Sequence, residues 1–239
     1  MDLDPELAAL RALGGFFALR TGAPPRGPLP TLAQAYAPAL SDAPADAFAD
    51  PMTFRVRKVA RSLGAPELRV AASIAHQGLA ARLWSVALGC AALHGQVPDL
   101  DPGLLHWNPD GSAPDDLWLS EVRALPVESL DAVVREGHLV PLAAAVRSRH
   151  RLSARLLWGN AGSALAGSVR MLDHWARTGG RTDVAERARA LAAGLLAHPD
   201  LAGTLDPSTG RRRSCCLYYR LPGSGLCGDC CFDRPPGRV

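Results

Sequence analysis

Apolar residues recur every three or four positions along most of the chain, the spacing of a helix face. The clearest run is residues 66–93, where Leu68, Ala72, Ala75, Leu79, Leu83, Val86, Cys90 and Leu93 form one stripe. That stripe predicts a core helix, with Cys90 on it as packing and His76 and Gln77 off it. Residues 5–20 predict an N-terminal helix with Asp4 as cap, Pro5 at the first helical position and Leu7, Leu10, Leu13 and Phe17 facing inward. Further helical patterns cover 31–37, 52–63, 127–149, 152–175 and 183–198. Gly137 and Pro141 split the 127–149 stretch into two helices. Residues 104–107 and 117–119 read as two short strands, with the turn signal Asn108-Pro-Asp-Gly111 between them. Residues 21–30 and 41–50, rich in Pro, Gly, Ala and Asp, read as loop and surface. The expected fold is mainly α: a single helical domain over 1–209 with a small β-hairpin, followed by a cysteine-rich segment, 210–239. That segment is too short to bury a core of its own and is expected to dock on the helices.

Within the 152–175 helix, Gly159, Ser163 and Ala166 share a face, with Gly162 beside them. Small side chains there let another stretch of backbone approach closely. The 52–63 helix carries Arg55, Arg57, Lys58 and Arg61, read as a solvated face or as a docking surface for an acidic partner. His106 and Trp107, beside the hairpin turn, are candidates to touch a ligand, against packing on the helices.

Composition narrows the function classes. With 239 residues, 48% of them hydrophobic, the chain can build a real core. A net charge of +3 and 5% aromatic content argue against nucleic acid as a partner. The longest uncharged helical runs, 83–93 and 156–169, fall short of the roughly 20 residues needed to span a bilayer. The N-terminus, Met1-Asp-Leu-Asp-Pro-Glu-Leu7, lacks the basic and apolar regions of a secretion signal, so a cytoplasmic location is expected, with peripheral membrane association left open.

Five of the six cysteines, Cys215, Cys216, Cys227, Cys230 and Cys231, lie within 17 residues. Disulfides suit an oxidising compartment and would leave one thiol over. Zinc and iron–sulfur clusters both take four thiolates. Cys227-Gly-Asp-Cys230 is a C-x-x-C chelate usable by either. The adjacent pair Cys215-Cys216 points to opposite faces in an extended strand, so both reach one site only if the backbone kinks. A two-iron cluster eases this, because its ligands sit on separate metals. Gly223-Ser-Gly-Leu-Cys-Gly228 matches a dinucleotide fingerprint by letter, but no βαβ unit can surround it here. It reads as a loop of the cysteine segment.

The full spacing, C-C-x10-C-x2-C, resembles the C-terminal [2Fe–2S] segment of the ferric-siderophore reductases of the FhuF-like family. The resemblance implies that Cys215, Cys216, Cys227 and Cys230 bind a [2Fe–2S] cluster; Cys231 is additional to the pattern, either a spare thiol or a replacement for Cys230. Trp158 and Asn160 loosely resemble a Trp-x-Asn element of the same family, which implies a place near the cluster, with Asn160 either donating to a sulfur or buried in a helix crossing. Such a cluster has a formal charge of about −2 oxidised and about −3 reduced, so Arg211, Arg212, Arg213 and Arg220 would favour its reduced form if they face it. A solvated basic tail is the other reading of these arginines.

The implied function is an oxidoreductase that reduces ferric siderophores by one electron, releasing Fe(II) for iron assimilation. The implied partners are a ferric siderophore, hydroxamate in preference to catecholate, and an external electron donor such as a ferredoxin or a flavin-dependent reductase. The absence of any acid–base or nucleophile constellation agrees with this. Two other readings remain: a zinc-stapled protein-interaction module, and an iron–sulfur redox sensor.

Overall fold

The computed structural model describes residues 3–24, 27–38 and 48–236. Most of the 41–50 stretch expected at the surface lies outside the described residues. At the centre is α4, Leu68–His94, against which α3 (Pro51–Leu63), α5 (Val140–His150), α6 (Ala154–Thr178) and α7 (Thr182–Leu196) pack. Being surrounded explains why α4 exceeds its predicted stripe. From Arg82 to Ala92 it is buried continuously, whereas Leu68, at its start, is exposed. Cys90 lies in the core as packing, and burial pushes its thiol up to about 12. Helix α6 is capped by Ser153, whose hydroxyl accepts from the Leu156 N–H at 3.2 Å.

The N-terminal helix is shorter than the pattern predicts. α1 covers Asp4–Ala9, continues as a 3₁₀ turn through Leu13 and stops at Gly14, whose φ of 112° no helix accommodates. Asp4 is its first residue rather than its cap. Phe17 still reaches the core, from the following loop, because Gly89 on α4 has no side chain: a Cβ there would lie 2.8 Å from the Phe17 ring. Beyond the loop, Arg20–Thr21 forms strand β1. A five-residue helix α2 (Leu32–Tyr36) begins with a capping box between Thr31 and Gln34.

The predicted hairpin forms. β3 (Leu105–Trp107) and β4 (Leu117–Leu119) pair antiparallel with Leu105 opposite Leu119. β1 adds to β4 in parallel, placing β4 at the sheet centre. A second ribbon, β2 (Gln96–Pro98) with β5 (Ala124–Pro126), escapes prediction because its short strands lie far apart in the chain with no turn signal joining them. His106 and Trp107 are structural: the His106 ring bonds the Leu29 carbonyl at 3.1 Å and Trp107 is buried. On α3, Arg55 and Lys58 are engaged by backbone carbonyls of the hairpin turn, so the basic face is only partly solvated. Gly137 and Pro141 do not divide the 127–149 stretch. A π-helical segment, Ala132–Leu139, runs directly into α5 and accommodates the proline, which has no N–H to give.

Buried Arg82, 2% exposed, anchors the glycine-broken loop. It pairs with Asp116 at 2.9 Å and donates to the carbonyls of Gly15, Phe16 and Ala18. This fixes residues 15–18 beside α4.

Candidate metal centre

The chain leaves α7 and lays residues 201–214 across the small-residue face of α6. Gly162 faces Thr204 and Gly159 faces Ser214; a Cβ on either glycine would come within 2.4 Å and 2.0 Å of the respective hydroxyl oxygens. The close approach expected of this face is thus made by the segment leading into the cysteines. Asp206 folds its own turn, its carboxylate accepting from Ser208 and Thr209. Those bonds hold it well below the usual carboxylate range. The Arg212 N–H donates to the Asp229 carbonyl at 2.9 Å, tying the two arms of the segment together. Arg211 laces the far arm, donating to the carbonyls of Cys230 and Phe232, each at 2.7 Å.

The backbone bends just after the adjacent cysteines. Leu217, immediately after Cys216, has φ +70°, a left-handed conformation rare for a residue with a Cβ. The Cys216 carbonyl is pinned to α4 by the Ser73 hydroxyl at 2.8 Å. Cys227 to Cys230 closes as a turn through the Cys230 N–H to the Cys227 carbonyl, 3.2 Å.

The thiols face one another. Cys216 and Cys227 share a side-chain hydrogen bond, which lowers Cys216 to about 7 and raises Cys227. Cys231 bonds Cys230, and both act on Cys215 through their charge. Burial is the main cause raising the Cys215 and Cys231 thiols. Backbone N–H groups point at sulfurs: Leu217 at Cys215 (3.2 Å) and Phe232 at Cys230 (3.5 Å). Among the described residues, no three His, Cys, Asp or Glu side chains gather closely enough to hold one metal ion. Four thiolates drawn from this set suit either an iron–sulfur cluster or zinc.

A buried cation completes the test of fit. Arg212 is 2% exposed and makes no ion pair with a carboxylate among the described residues, and its Nε has no partner. Its guanidinium donates to Gln77 Oε1 on α4 (3.2 Å) and to Asn160 Oδ1 on α6. Its charge acts on Cys215, Cys216, Cys227 and Cys231. A buried guanidinium without a counter-ion is costly; an anionic cluster held by these thiolates supplies the missing charge. Burial, with the Arg212 charge adding to it, pushes neighbouring His76 down to about 3.

Asn160 is 0% exposed, but it touches no sulfur. Its amide donates to the Ser73 carbonyl (2.9 Å) and hydroxyl (3.1 Å), while its oxygen accepts from Arg212. It orients the arginine, and of its two sequence readings the buried helix crossing holds. Trp158 packs, half-buried, against the core. Of the four flanking arginines only Arg212 is buried; Arg213 and Arg220 pair with Asp206 and Glu67 nearer the surface. No local pattern distinguishes Arg212 from its neighbours. The fingerprint-like glycines, Gly223 to Gly228, lie in turn and loop conformations between Cys216 and Cys230.

Cysteine side chains gathered beside a buried cation suit an anionic metal–thiolate centre. Residues 212–232 match the family model described as the FhuF 2Fe-2S C-terminal domain, which bears out the resemblance read from the cysteine spacing. The cofactor of this segment is therefore a [2Fe–2S] cluster, and the match covers the cysteine segment rather than the helical body. No curated protein matches the chain.

Proposed function

We propose that the protein is a one-electron reductase of ferric siderophores, with Cys215, Cys216, Cys227 and Cys230 as the cluster ligands and Cys231 as a neighbouring free thiol. The observation that carries this reading is the buried, uncompensated Arg212 among the thiols of a FhuF-type segment. When bound, the [2Fe–2S] cluster supplies single electrons.

The chain's own residues do the rest. Ser73 pins the Cys216 carbonyl to α4, and the Leu217 N–H reaches back to the Cys215 sulfur. Arg212, fixed by Gln77 and Asn160, keeps a positive charge where an electron adds negative charge, which favours reduction. The Leu217 and Phe232 N–H groups act in the same direction. Hard Fe(III) is gripped by hydroxamate oxygens and Fe(II) far less, so one electron suffices to release the metal. A ferredoxin or flavin-dependent reductase in the cytoplasm is the proposed donor. Among the described residues no helix is long and apolar enough to cross a membrane.

The test is the iron and acid-labile sulfide content of anaerobically purified protein, expected at about two of each per chain. Serine at 215, 216, 227 or 230 is expected to abolish the cluster, whereas Cys90→Ser and Cys231→Ser retain it. A Cys216→Ser variant with a normal cluster would overturn the ligand assignment. Oxidation of the dithionite-reduced protein by a ferric trihydroxamate, with Fe(II) captured by a ferrous chelator, tests the activity.

A further inference from the structure

A cleft of about 840 Å³ opens beside the cysteine segment. Its walls are the loop after α1, the outward faces of α4 and α6, and the two arms of the segment at 209–211 and 227–229. Cys227 lines it, and the other four cysteines of the segment do not. From the geometry of this cleft we infer that it is the binding site of the ferric chelate and that Cys227 is the ligand through which the electron leaves. The inference rests on the reductase reading and adds to it a place and a set of residues.

The volume falls within the roughly 300–1,000 Å³ typical of small-molecule sites, which are mostly apolar with a few placed polar groups. Phe16 and Met171 stand at the mouth, 47% and 52% exposed, an unusual degree for side chains so apolar. Gly167 leaves one wall of α6 without a side chain. The charges nearly cancel. Arg170 is exposed and in no ion pair among the described residues, Asp229 accepts from Ser163 at 2.6 Å, and Arg211 is neutralised by Asp233. A cleft of this kind, next to thiolates, suits a near-neutral ferric trihydroxamate, whose alkyl spacers cover Phe16 and Met171. A triply anionic catecholate complex would meet a single free cation and the repulsion of the thiolates. The transfer is of one electron: Fe(III) in the chelate becomes Fe(II), the protein is oxidised by one equivalent, and the ferredoxin- or flavin-type donor restores it.

The Ga(III) complex of a linear trihydroxamate cannot be reduced and reports binding alone. Titration of the oxidised holoprotein by calorimetry should show binding that weakens at least tenfold in Gly167→Phe. A Cβ at this position meets only the Arg170 guanidinium at 3.7 Å, so the fold should tolerate the change. Phe16→Ala, which removes an exposed ring, should weaken binding about fivefold. Both variants should keep the visible spectrum of the cluster and its bleaching by dithionite. If wild type binds and is oxidised by the ferric chelate while both variants bind unchanged, the cleft is wrong and the reductase reading stands. Tighter binding of Ga(III) tris-catecholate than of the trihydroxamate overturns the ligand class. If the reduced wild type is not oxidised by the ferric chelate, the reductase reading fails and this inference with it.

Discussion

Gly162 offers a direct test of how the cysteine segment is held. A Cβ built on it lies 2.4 Å from Thr204 Oγ1 and 3.3 Å from Thr204 Cβ. The hydroxyl cannot simply rotate away, because it donates to the Leu201 carbonyl at 2.6 Å. Gly162→Ala therefore forfeits that bond, about 1 kcal/mol, and crowds the Thr204 Cβ, for which overpacking costs of about 1–3 kcal/mol are usual. The helix gains up to about 1 kcal/mol in propensity from alanine, leaving a net loss of about 1–3 kcal/mol. Gly194→Ala on α7, where nothing lies within 4 Å, isolates the propensity gain and should stabilise by about 0.5–1 kcal/mol. In a Thr204→Ala background the clashing oxygen is gone, and Gly162→Ala should become close to neutral. The cycle should show a coupling of about 1–3 kcal/mol. Urea midpoints measure the stabilities, and the rate of visible-absorbance loss under a chelator measures how firmly the segment is seated. Additive effects of Gly162→Ala and Thr204→Ala, or a Gly162→Ala as stable as Gly194→Ala, would refute the close-packing argument.

Arg212→Met should lower the cluster's reduction potential: for a unit charge about 7 Å away at an effective dielectric of about 20 the loss is about 2 kcal/mol, or about 100 mV for one electron. Spectropotentiometry checks this, and an unchanged potential rules Arg212 out as the compensating charge. Asp116→Ala strands the buried Arg82 and should cost about 3–5 kcal/mol in urea unfolding; a loss under 1 kcal/mol means that the carbonyls of Gly15, Phe16 and Ala18 suffice. His138 sits between the Tyr36 hydroxyl (2.8 Å) and the Leu100 carbonyl (2.6 Å), and burial depresses it to about 4. Because the unfolded chain binds this proton more readily, its contribution is complete above about pH 6.5 and is lost as pH falls toward 4, about 3 kcal/mol in all. His138→Gln should flatten that part of the stability–pH curve, and an unaltered slope excludes His138 as its source.

The helices of this protein are written locally, because periodic burial against a core leaves its mark on residues three and four apart. The C-C-x10-C-x2-C spacing likewise sits within 16 residues, so the cluster chemistry could be read before any fold was known. What the spacing could not say is which of four arginines faces the sulfurs. That depends on α4 and α6 meeting so that Gln77, Asn160 and Ser73 converge from positions 87 residues apart or fewer on two different helices. The early stop at Gly14 was also obscured, since Phe17 keeps its apolar role by entering a gap at Gly89 that lies far along the chain.

The amino-acid sequence by itself determined the helical body, the small-residue face of α6 and the thiol set, each encoded by neighbours in the chain. Only the tertiary structure decided that Arg212 is the buried cation, that Asn160 serves the arginine rather than a sulfur, and that a cleft opens at Cys227. The physical reason is that charge compensation and cavity shape arise between surfaces remote in sequence, and no local spacing records how those surfaces meet.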